Sequence, residues 1–181
     1  MNANNKRDFS VSMVRANIIA LFIMLPVAII QFNIFNVLHG MGKMEITVNG
    51  LNLLFFTVIV IASMIAHELI HGLTWIGLGK KSFSTVKFGV QWKTLTPYAH
   101  LKEPIEVNAY RIGGFMPGFV LGILPFLLSL VMGNRNLLWF GMIHTAAASA
   151  DWLILWLLRN VKSGMLVEDH PTNAGCYVIE S

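Results

Sequence analysis

A chain of 181 residues has room for one domain, and its balance excludes an ordinary soluble one: 55% of the residues are hydrophobic, 12% are charged, and the mean hydropathy is positive. Its one cysteine, Cys176, excludes an internal disulfide and any multi-cysteine metal site. The formal charge of +4 calls for no nucleic-acid partner, because membrane topology accounts for it.

Crossing a bilayer core takes about 20 helical residues, and four apolar stretches are long enough: 17–35, 51–78, 112–132 and 137–158. The first follows Lys6, Arg7 and Arg15, the flank expected of a signal peptide. Its apolar run exceeds a signal core of about 7–15 residues and no small-x-small cleavage site follows, so it reads as a retained membrane helix. Pro26 should bend it, which neighbouring helices tolerate. The polar stretch after the second segment holds a β insert over about 82–109. In "VKFGVQWK", Val86, Phe88, Val90 and Trp92 alternate with Lys87, Gly89, Gln91 and Lys93. "PYAHL" and "IEVNA" supply further extended pieces, giving a hairpin or meander that serves as a structural cap or a substrate guide. Gly113, Gly114, Pro117 and Gly118 make the start of the third segment a poor helix. Either the backbone is irregular there and lines a cavity, or a bent helix start packs closely through its glycines.

Charge sets the orientation. With the N-terminus inside, eleven Lys and Arg residues fall in inside segments, and only Lys43 and Arg135 fall outside. The expected fold class is therefore membrane α-helical, with four transmembrane helices and a small cytoplasmic β insert. The protein is expected to be multi-pass in the cell membrane, with both termini cytoplasmic.

Within the second segment, "MIAHELIHGLTWIGLGK" places ionisable side chains at membrane depth, where they are expensive. His67-Glu68-Leu69-Ile70-His71 is H-E-x-x-H. On a helix the two histidines share a face one turn apart, so both imidazoles can reach one metal ion. Two neutral nitrogen ligands at that spacing suit Zn²⁺, which needs a third protein ligand and an open position for catalysis. Glu68, beside the metal without binding it, suits a general base. The bland alternative is a pair of core histidines hydrogen-bonded to helix backbone or to each other. It suits a soluble helix better than a hydrophobic one, where unsatisfied polar groups cost about 2–7 kcal/mol.

"HELIHG", with "TPYAHLKEPI", "HTAAASADWLIL" and "VEDHPTNAGCYV", resembles a family of small membrane zincin metallopeptidases related to the site-2 protease clan. The resemblance implies zinc held by His67, His71 and Asp151, with Glu68 as the catalytic carboxylate. The setting of Asp151, "SADWL", departs from the clan's Leu-Asp-Gly, and its Asn-Pro element is missing. Depth agrees with the assignment. His67 lies sixteen residues into its segment and Asp151 fourteen into its own. Both are then about 21–24 Å from the outer boundary. The competing partner for Asp151 is Arg159, two turns on.

His144, two turns before Asp151 on nearly the same helical face, is a candidate catalytic group that would polarise a scissile carbonyl, support Asp151, or simply bond within the bundle. His100 in the insert reads as a surface or interface histidine. Asp169 and His170, before Pro171, read as turn chemistry, and His39 lies on the opposite side. The expected protein is an intramembrane zinc metallopeptidase acting on membrane proteins or peptides in or near the bilayer. The alternatives are a zinc hydrolase of a non-peptide bond and a catalytically inactive metal-binding membrane scaffold.

Overall fold

The structure, a computed structural model, describes residues 6–41, 50–92 and 96–179; Lys43 and Lys93 of the charge count lie outside them. Helix α1 (Met13–His39) starts at Ser12, whose hydroxyl accepts a hydrogen bond from the Arg15 N–H, and runs through Pro26. Helix α2 is Gly50–Gly79. A third apolar helix, Val107–Met132, consists of α3 (Val107–Pro117), a π-helical run (Gly118–Ile123) and α4 (Leu124–Met132). The fourth apolar stretch forms α5 (Arg135–Ala147) and α6 (Ser149–Leu158), bent by 44°. Three helices are thus long and apolar enough to cross a membrane, or four if the bent pair is one span. Their outward faces are apolar: Phe22 is 70% exposed and Val37 83%, a surface suited to lipid rather than water.

Two sequence expectations are corrected here. The third segment begins at Val107 rather than at residue 112, because Glu106 caps it. Its carboxylate accepts the N–H groups of Asn108 and Ala109 at 2.7 and 3.1 Å, so "IEVNA" is extended only over Ile105 and Glu106 and turns helical at Val107. The 137–158 segment is not one straight helix. Ser149 Oγ bonds back to the Ala146 carbonyl at 2.7 Å, a contact that bends helices, and the break falls at Ala148. The glycines of the third segment do not unwind it. A β-carbon on Gly118 would lie 2.7 Å from Ala148 Cβ, and one on Gly122 2.6 Å from Thr145 Oγ1, so these residues let helices meet closely.

The insert contributes a two-stranded antiparallel hairpin of β2 (Val86–Gln91) and β3 (Thr96–Leu101). It is a hairpin and not a meander. The next strand, β4 (Ile105–Glu106), pairs with β5 (Leu166–Asp169), Ile105 opposite Val167. Together with β6 (Ala174–Ile179) and β1 (Lys6–Val11) they form a sheet of order β1-β6-β5-β4. Both termini and the insert therefore meet at one end of the helices. Beneath the strands lies a core that includes Trp75, Val86, Leu101, Tyr110, Leu158 and Val178. The apolar face of the hairpin is covered only at its base: Val86 is 5% exposed, Val90 41% and Trp92 80%. Pro97 costs the hairpin no ladder bond, because residues 97, 99 and 101 turn their backbone groups away from β2.

Candidate metal centre

Helix α2 buries His67 and His71 on one face, 9% and 5% exposed. Asp151 reaches them from the first turn of α6, just past the bend at Ala148. His67 Nε2 lies 3.2 Å from His71 Nε2 and 3.2 Å from Asp151 Oδ2, and His71 Nε2 lies 3.5 Å from Asp151 Oδ1. One ligand atom from each residue falls within 4.8 Å of the others, so the group could hold a metal ion.

The chemistry of this donor set can be tested against zinc. Tetrahedral bonds of about 2.0–2.1 Å require ligand atoms about 3.3–3.4 Å apart; the two ring nitrogens, 3.2 Å apart, are close to that value, and each ring has a different Asp151 oxygen at 3.2 or 3.5 Å. The tautomer also fits. His71 Nδ1 is 2.8 Å from the Gly113 carbonyl, which can only accept, so Nδ1 carries a proton and Nε2 is the nitrogen left to face the centre. Two ring nitrogens and a carboxylate converging this closely could hold a cation between them.

The Gly113 carbonyl is available for a local reason. In an α-helix it would accept the N–H four residues on, but that residue is Pro117, which has none. The His71 ring stacks on Trp75 at 5.2 Å, and Trp75 stacks on Tyr110 at 5.4 Å. Trp75 Nε1–H donates to the Tyr110 carbonyl at 3.1 Å. Gly113 admits the indole, since a β-carbon there would lie 2.2 Å from it. Sequence reasoning flagged Gly113 and Pro117 as helix irregularities without seeing this role; proline four residues after a carbonyl was the available signal.

Glu68 points to the hairpin, where its Oε2 accepts the Ala99 N–H of β3 at 2.8 Å. His144 is buried in the last turn of α5, its ring tilted against Phe140 with centroids 4.4 Å apart, and is not one of the three converging groups. Among the described residues its Nδ1 has no hydrogen-bond partner, and neither has His67 Nδ1 or Trp152 Nε1. Arg159 does not pair with Asp151; it donates to the Trp156 carbonyl and stacks over the Trp156 ring. His39 bonds the Leu130 carbonyl at 2.8 Å, away from the centre. His170 behaves as turn chemistry, its Nδ1 accepting the N–H groups of Thr172 and Asn173. His100 and Asp169 lie against each other at 3.4 Å, where Asp169 holds the imidazole pKa above its usual value and the Lys87 charge opposes it.

Apolar helices around a His–His–carboxylate group, with a further carboxylate on the next residue, define a membrane-type helical protein with a site able to hold a metal ion. Residues 60–166, more than half of the chain and including the H-E-x-x-H sequence, match a family described as putative zincin peptidase, and the chain belongs to that family. Membership implies zinc and peptide substrates. No curated protein and no solved structure matches the chain.

Proposed function

We propose that the protein is an intramembrane zinc metallopeptidase, hydrolysing peptide bonds of membrane proteins or peptides in or near the bilayer. The observation that carries this reading is the convergence of three side chains: the Nε2 atoms of His67 and His71 are 3.2 Å apart, and Asp151 presents Oδ2 to His67 at 3.2 Å and Oδ1 to His71 at 3.5 Å. Those three residues are the zinc ligands. Zinc, when bound, would polarise the scissile carbonyl and lower the pKa of its water to about 7.

The protein's own groups do the rest. Glu68 is the general base, taking a proton from the attacking water and passing it to the leaving amine. The Ala99 N–H, 2.8 Å from one Glu68 oxygen, fixes the plane of that carboxylate. The Gly113 carbonyl holds the His71 ring in its metal-binding tautomer. His144, buried with an unpartnered Nδ1 among the described residues, is assigned to the substrate carbonyl. The sheet joining β1, β4, β5 and β6 supports placing both termini and the insert on one side, which the positive-inside distribution makes the cytoplasm.

The test is metal content and hydrolysis in purified protein. Wild type should carry about one zinc per chain. His67→Ala, His71→Ala and Asp151→Ala should lose most of it, Glu68→Gln should keep zinc and lose hydrolysis, and Arg159→Ala should change neither. Metal-free wild type would refute the reading. Full occupancy in Asp151→Ala would remove Asp151 from the ligand set.

A further inference from the structure

Two carboxylates grip the same edge of β3. Beyond Pro97, which has no N–H, the outward donors of this strand belong to Ala99 and Leu101. Ala99 gives its N–H to Glu68 at 2.8 Å, and Leu101 gives its N–H to Asp169 Oδ2 at 2.7 Å. Asp169 comes from β5, in the other sheet. Its second oxygen, Oδ1, accepts the Tyr110 hydroxyl at 2.7 Å. No backbone ladder joins the hairpin to the four-stranded sheet. Among the described residues Asp169 supplies the polar contacts that do, accepting the Leu101 N–H and lying 3.4 Å from His100 Nδ1.

The anchor behind Asp169 is rigid and registered to the candidate metal centre. The Tyr110 ring is stacked on Trp75 and Trp75 on His71, while the Tyr110 carbonyl holds the indole N–H. The side chain of Asp169 is 12% exposed, so water does not readily replace these partners. Residues 99 and 101 are one strand period apart, about 7 Å, and a strand held at both points can neither slide nor rotate.

We infer that Asp169 is a positioning residue of this site: through the Leu101 N–H and the Tyr110 hydroxyl it sets β3 so that the Ala99 N–H meets Glu68, and so orients the general base. The inference rests on the reading of Glu68 as that base. Asparagine could keep both partners, accepting the Leu101 N–H on Oδ1 and donating its amide to the Tyr110 hydroxyl oxygen, whereas alanine removes both contacts.

Amide hydrogen exchange at Ala99 and Leu101, measured on the full chain in phosphatidylcholine nanodiscs, tests this. Asp169→Ala should speed exchange about tenfold or more at Ala99, a residue it does not touch, with zinc content and the amides of α2 as in wild type. Faster exchange at Leu101 with Ala99 unchanged would overturn the proposal, leaving Asp169 as a tie between sheets. Tyr110→Phe keeps the stacked ring and removes one bond to Asp169. It should raise both rates by a smaller factor, and it decides by the same criterion if Asp169→Ala does not fold. Casein cleavage is followed in parallel. Where wild type cleaves, Asp169→Ala should lower kcat about tenfold with KM within about twofold, and unchanged kcat would overturn the proposal. Where wild type cleaves no peptide probe, the peptidase reading falls, and the Ala99 rate still judges the clamp.

Discussion

Gly113→Ala adds one methyl group where a β-carbon would lie 2.2 Å from both Cδ1 and Nε1 of Trp75. Carbon contacts settle at about 3.5–4.0 Å, so the indole or the helix must give by more than about 1 Å. The indole has little room, held between His71 and Tyr110 at 5.2 and 5.4 Å and tied to the Tyr110 carbonyl. Alanine gains about 0.8–1.0 kcal/mol over glycine in a helix. Overpacking costs about 1–3 kcal/mol, and a lost indole hydrogen bond about 0.5–1.5 kcal/mol. The cost prevails, for a net destabilisation of about 1–3 kcal/mol. The same helix carries the carbonyl that orients His71, so zinc affinity should fall about 10–100-fold, as it does when a ligand's supporting partner is lost. Chelator competition reads the affinity, and thermal unfolding with and without zinc reads the stability. Gly114→Ala is the control: its β-carbon would meet only the Leu155 side chain, at 3.2 Å from a methyl that can swing aside. It should leave zinc affinity unchanged. Wild-type affinity in Gly113→Ala would refute the role given to the Trp75 stack and the Gly113 carbonyl.

The Cys176 thiol, pushed up to about 12 by burial and then by the Asp169 and Asp8 charges, should resist iodoacetamide at pH 8 until the protein is denatured; rapid labelling of the folded protein would contradict its place beneath the sheet. For His100 the hydrogen bond to Asp169 raises the pKa, with Lys87 across the hairpin opposing, so its contribution is full below about pH 6.5 and is lost as pH rises through the raised value. Protection of the β3 amides should therefore decline between pH 6 and pH 8, and His100→Gln should remove that decline. An identical slope in His100→Gln would place the titration elsewhere.

What could be read from the sequence is what short windows encode. Runs of apolar residues announce the membrane-type helices, and the period of two in "VKFGVQWK" announces the hairpin. The H-E-x-x-H spacing puts both imidazoles on one helical face. The cost of a lone carboxylate in an apolar segment directs attention to Asp151, and these three side chains do meet.

The rest belongs to tertiary structure, because it depends on which distant segment arrives as a partner. Ile105 and Glu106 look extended in the sequence, but the choice of β5 over the hairpin rests on α3 and α6 packing side by side. Pro117 frees a carbonyl locally, yet only the approach of α2 brings His71 to use it. Asp169 before a proline has the local signature of a turn; sixty-eight residues separate it from the Leu101 N–H it accepts. A side chain's chemistry is fixed by its own atoms, whereas its task is set by the unpaired donor that the fold places beside it.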